Sequence, residues 1–126
     1  MNITYVAKYE NMLQDRDVRR WFDDLRAKSV LTATVYLRTL GYYCELTYGT
    51  PRKILTDVKD KLIEFRNRFP DFIRELEKKG KAESYLARFK RVLRSWTKFR
   101  NLEIRLDINI AGENESPTGE NEIEGD

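Results

Sequence analysis

Histidine is absent from this chain of 126 residues, and cysteine occurs once, at Cys44. Those two scarcities exclude a great deal. A zinc site of Cys and His ligands cannot be assembled. Histidine-based triads and acid–base pairs are excluded as well. No internal disulfide can form, which fits a reducing cytoplasm. The six glycines are scattered, so there is no glycine-rich phosphate loop. No apolar run approaches the roughly 18 residues of a membrane-spanning helix, so no membrane partner is expected. The first residues, MNITYVAKYENMLQ, lack the basic-then-apolar layout of a signal peptide. No cofactor or metal is called for. Composition leaves carboxylate-only catalysis open, but Asp23 and Asp24 lie among helical surface positions and read as a solvated pair.

Bases are also missing from one stretch. From Ala111 onward there are six acids and no Lys or Arg. Setting those six aside leaves 24 bases against 15 acids, a net of +9 for residues 1–110 although the whole chain carries +3. A body this basic points to an anionic partner, nucleic acid above all.

What is present is amphipathic helix. Residues 1–14 are ambiguous between an extended segment and a helical turn. Asp15 or Asp17 caps a first helix in which Val18, Trp21, Phe22 and Leu25 recur at helical spacing. A second helix starts around residues 31–32, capped by Ser29 or Thr32, and stops at Gly49. Its apolar face holds Ala33, Tyr36, Leu37, Leu40, Tyr43, Cys44 and Thr47. Thr34, Arg38, Gly41 and Glu45 point away, and Cys44 reads as a small core hydrophobe. Thr50-Pro51 opens a short turn leading to a third helix from about Asp57. That helix carries a stripe of Val58, Leu62, Phe65, Phe69, Phe72 and Leu76, widened by Ile63 and Ile73. Pro70 predicts a kink within it, or a break into two nearly collinear pieces.

Residues 81–100, KAESYLARFKRVLRSWTKFR, hold seven Lys or Arg and one Glu. At about 100° per residue, Tyr85, Leu86, Phe89, Val92, Leu93, Trp96 and Phe99 share one side. Ser84, Ala87, Arg91, Arg94 and Lys98 share the other, with Arg88 and Lys90 on the flanks. One face suits a core and the other an anion. Residues 102–110 then alternate apolar and polar, a strand pattern that pairs with residues 1–6 or with a partner outside the chain. From Gly112 the chain is acidic and rich in Gly and Asn, the composition of a disordered tail or linker. The expected organisation is an N-terminal arm (1–14), an all-α domain of four helices with a C-terminal strand (15–110), and a disordered acidic tail (111–126).

The order of features resembles one family. DVRRWFDDL is followed by a second helix opening LTATVYLRTL, then Gly-Thr-Pro. A long third helix ends FIRELEKKG. The fourth opens Ala-Glu-Ser-Tyr-Leu and carries VLRSWTKF. Over roughly residues 15–105 this is similar to the N-terminal core-binding domain of tyrosine recombinases, the phage-type integrases, in versions typical of archaea and their mobile elements. The resemblance implies a SAM-like orthogonal bundle. Its second and fourth helices lie against the major groove and flanking phosphates of double-stranded DNA, with other recombinase protomers as further partners. It implicates Thr32, Thr34 and Arg38 on helix two, and Lys81, Ser84, Arg88, Lys90 and Arg91 on helix four. Arg94, Lys98 and Arg100 extend the electrostatic footprint.

Recombination itself needs a second domain that supplies a tyrosine nucleophile with arginines, a lysine and histidines around it. Nothing of that domain follows residue 110. The chain is therefore expected to hold DNA without cutting it, as a recombinase fragment or as a free-standing derivative of one. The alternative is a helical protein-interaction or regulatory module with no nucleic-acid target.

Overall fold

A computed structural model describes residues 7–106. They are all helical in class: a 3-10 segment (Ala7–Gln14) is followed by α1 (Arg16–Lys28), α2 (Val30–Thr47), α3 (Pro51–Asp60), α4 (Leu62–Lys78) and α5 (Glu83–Phe99). The readings of residues 1–6 and of 107 onward, acidic tail included, lie outside the described residues.

Local chemistry sets most boundaries. Asp15 caps α1, its Oδ1 accepting from the Asp17 N–H at 2.8 Å and the Val18 N–H at 3.3 Å. The Ser29 hydroxyl accepts from the Thr32 N–H at 3.1 Å and starts α2. Thr50 caps α3, with Pro51 in the first turn. Gly80 takes φ +80 after α4, where the Lys81 N–H reaches back to the Leu76 carbonyl. The stop after α2 falls one residue earlier than the glycine that suggests it: Tyr48 itself adopts the left-handed conformation, φ 57.

Three helical expectations are corrected. Residues 51–55 are no isolated turn but the start of α3, so there are five α-helices where four are expected. The long third helix does divide, but at Lys61, whose φ −138 and ψ 49 leave the helical region. It does not divide at Pro70, which α4 carries in its interior. Ile63 does not widen the stripe; it is 74% exposed, about 140° around α4 from the buried line of Phe65, Phe69 and Leu76.

Two indoles join the helices at the centre. Trp21 of α1 and Trp96 of α5 meet edge to face, centroids 5.3 Å apart. Each buried N–H has an acceptor: Trp21 Nε1 donates to Ser95 Oγ and Trp96 Nε1 to the Pro51 carbonyl, both at 3.0 Å. A second aromatic row, Tyr43–Phe72–Phe89–Tyr85, crosses from α2 through α4 to α5. α2 packs against α1, α5 and the 3-10 segment. That packing buries more of α2 than its apolar residues alone suggest. Thr34 and Gly41, expected to point outward, are both buried. Residues 102–106 form no regular element, yet they keep the expected alternation. Leu106 is buried, Leu102 and Ile104 are half-buried, and Glu103 and Arg105 are exposed.

Gly41 is buried because the Tyr9 ring lies directly against its Cα, where an added Cβ would overlap the ring carbons. Gly41→Ala should dislodge the 3-10 segment at a cost of about 1–3 kcal/mol. Urea denaturation followed by tryptophan fluorescence measures this, and an unchanged midpoint would show that the segment does not depend on that packing.

Candidate nucleic-acid interface

The buried side of α5 fixes where its cations go. Leu86, Ala87, Phe89, Val92, Leu93, Trp96 and Thr97 are buried. Ala87, expected outside, thus joins the core. Ser84, Arg88, Arg91, Ser95 and Lys98 lie within an arc of roughly 80° on the outer side, at about 100° per residue. Ser84, Arg91 and Lys98 are exposed, and Arg88 is half-buried. The parallel ridge of α2 carries Leu31, Arg38 and Glu45, all exposed, with Val35 and Tyr42 half-buried between them.

The two ridges meet at an aromatic seam. Tyr42 of α2 lies 6.3 Å from Phe89 of α5, and Phe89 meets the Tyr85 ring edge-on at 5.2 Å. The Lys81 ammonium and the Arg88 guanidinium each lie over the Tyr85 ring, 5.8 Å from its centroid. Arg38 sits one turn before Tyr42 on α2. Burial pushes the Tyr85 hydroxyl pKa up, and the charges of Arg88 and Arg38 both oppose that shift. Cations from two helices therefore act on one phenol.

Charge on this face is unopposed. Among the described residues, Arg38, Lys81, Arg88, Arg91 and Lys98 make no ion pair with an acid. Several other cations are engaged by acids of the fold. Arg52 pairs with Asp15 and Asp17 at 3.1 and 3.3 Å, and Arg100 pairs with Asp17 at 3.4 Å. Arg100 is therefore a tie between α5 and α1 before it is part of any electrostatic footprint. Lys53 and Arg68 hold the buried Asp57 carboxylate.

The candidate residues separate accordingly. Arg38, Lys81, Ser84, Arg88, Arg91 and Lys98 come together on the outer side of the α2–α5 seam. Thr32 is half-buried in the first turn of α2, beside the face. Thr34 leaves the set: it is 4% exposed, and its hydroxyl donates to the Val30 carbonyl at 2.9 Å. Lys90 and Arg94 are half-buried at the far edge of α5 and have interactions of their own. Sequence reasoning does not find Tyr85 and Tyr42. Phase alone assigns Tyr85 to the core, whereas it is half-buried at the rim. The signal available is a cation four residues before it and another three after.

Tyr9 borders the same seam. Its hydroxyl donates to Glu45 Oε1 at 2.8 Å, satisfying the one acid of the α2 ridge. Burial and then the Glu45 carboxylate push its pKa up to about 12. Cys44 is also pushed up to about 12, by burial, so the thiol is held as an inert core group. Among the described residues, no cluster of acidic or thiol side chains is placed to hold a metal ion, and no helix is long and apolar enough to cross a membrane. No family model matches the chain, and neither does any curated protein or solved structure. The likeness to recombinases therefore rests on the order of features in the sequence.

The raised values give a pH dependence. Tyr9, Tyr43 and Cys44 all release protons more readily when unfolded, with Tyr43 raised chiefly by burial. Their contribution is complete below the unfolded values, near 9.0 for the thiol and 10.0 for the phenols, and is lost as pH rises toward the folded ones. The urea midpoint should hold steady from neutral pH to about 9 and then fall. A midpoint constant through about pH 11 would contradict these burials.

Proposed function

We propose that this chain binds duplex DNA across the face shared by α2 and α5, as a core-binding domain of the tyrosine-recombinase type. One observation carries the reading: Arg38 of α2, Lys81 just before α5 and Arg88 of α5 converge on one aromatic seam, with Arg91 and Lys98 continuing the line and no acid among the described residues neutralising it. Arginines and short hydroxyls are the groups that reach phosphates and guanine edges. On this reading the bundle is SAM-like, and residues 102–110 are the connection toward a catalytic domain. Double-stranded DNA and neighbouring protomers are the partners, in the cytoplasm, and the chain contributes grip without chemistry.

A second reading has its own observation. Val30 and Leu31 are 48% and 70% exposed side by side at the start of α2. Adjacent exposed aliphatics favour a protein-interaction module. A partner complex that survives removal of the α5 arginines but not Leu31→Ser would favour it.

Association should weaken steeply with salt, because bound counterions are released. Arg88→Ala with Arg91→Ala should lower affinity about ten-fold or more at low salt. It should also reduce the salt slope by about 1 for each phosphate no longer neutralised. Fluorescence anisotropy with a labelled duplex reads both. Absence of binding by the unmodified chain at low salt would sink the proposal.

A further inference from the structure

Tyr85 and Tyr42 share a property that packing does not require. Neither hydroxyl forms a hydrogen bond with any described residue. A half-buried tyrosine at a rim leaves its hydroxyl to solvent or to a ligand, whereas a buried one takes a protein partner. The Tyr9 hydroxyl, close by, is taken up by Glu45. Tyr85 is half-buried with its ring set against Phe89 at 87°, so its direction is fixed by the core beneath it.

The cations around Tyr85 decide what the hydroxyl can take. Lys81 and Arg88 both lie over the ring. A base could not stack there without displacing them, so the ring face is occupied and the hydroxyl end is what remains. A neutral phenol that stays protonated at physiological pH is a donor, and it stands among positive groups. An anionic oxygen acceptor fits that environment: it receives one hydrogen bond and meets charge from both helices. A cation would be repelled, and a neutral peptide group would leave the surrounding positive charge unanswered.

We infer that Tyr85, with Lys81 and Arg88 beside it and Arg38 across the seam, forms a phosphate clamp that grips one backbone phosphodiester of the bound duplex. The inference rests on the DNA-binding reading and makes it specific. Phosphate contacts set register and orientation without reading sequence. The clamp is the rigid point of the interface, because a tyrosine anchored by an aromatic row has little side-chain freedom to lose. The longer arginines beyond it, Arg91 on α5 above all, are then carried to a fixed position over the groove.

Tyr85→Phe in the full chain isolates the hydroxyl. It keeps the ring, the Phe89 packing and both cations over the ring. Labelled-duplex anisotropy should show about a ten-fold loss of affinity, as for a hydrogen bond to a charged group. The salt slope should stay unchanged, since no charge has been removed. Circular dichroism and tryptophan emission verify that the fold is retained. If Tyr85→Phe binds as tightly as the unmodified chain while Arg88→Ala is weakened, the clamp is overturned and the DNA reading stands. If Tyr85→Phe is unaffected but Tyr85→Ala loses affinity, the ring stacks on a base and the clamp is again overturned. If the unmodified chain does not bind duplex at all, the DNA reading fails and the clamp with it.

Discussion

The packing of Trp21 against Trp96 is the constraint on which the rest of the molecule turns. An edge-to-face pair contributes about 0.5–1.5 kcal/mol beyond the area it buries. Its larger effect is geometric. Trp96 is fully buried, and its N–H is tied to the Pro51 carbonyl. Trp21 is 2% exposed and tied to Ser95. Together they fix the rotation of α5 about its own axis against α1 and α3. Once that rotation is set, helical phase leaves Ser84, Arg88, Arg91 and Lys98 outside. The orientation of the basic face is thus a consequence of the core, and no cation has to hold it there.

Charge is distributed to match. The acids that are partly or largely buried, Asp15, Asp17 and Asp57, are each matched by arginine or lysine from another turn or another helix. Partly exposed pairs of this kind contribute little individually. They do consume Arg52, Lys53, Arg68 and Arg100. Of the cations with no acid partner among the described residues, Arg38, Lys81, Arg88, Arg91 and Lys98 share the α2–α5 face, while Arg16, Arg20, Lys61 and Lys79 lie elsewhere on the bundle. On the α2 ridge Glu45 already accepts the Tyr9 hydroxyl. The cations that hold the buried acids are thus distinct from those on the α2–α5 face.

Much of this is legible in the sequence, and the exceptions have physical causes. Caps at Asp15, Ser29 and Thr50 can be read because each is a short polar side chain just before an amphipathic run. The apolar phase of α5 holds along most of its length. Thr34 and Gly41 are misplaced because hydrophobicity alone cannot show that a neighbouring element covers a polar or side-chain-free position; the ring that buries Gly41 belongs to Tyr9, far back in the sequence. The break at Lys61 escapes because Pro70 carries the stronger local signal, while Lys61 has no intrinsic reason to interrupt a helix. Tyr85 is hidden by its phase. An aromatic residue at a core position reads as core, and only the flanking cations of α5 and the approach of α2 make it part of a surface.

The central claim is that the α2–α5 seam is where DNA is held. Backbone amide chemical shifts of the isotope-labelled chain, followed during titration with duplex DNA at low salt, test it most directly. The account predicts salt-sensitive shifts concentrated at residues 38–42 and 81–91, with α4 and the Lys61 break unaffected. Shifts centred on residues 61–76, or none at all at saturating DNA, would contradict it.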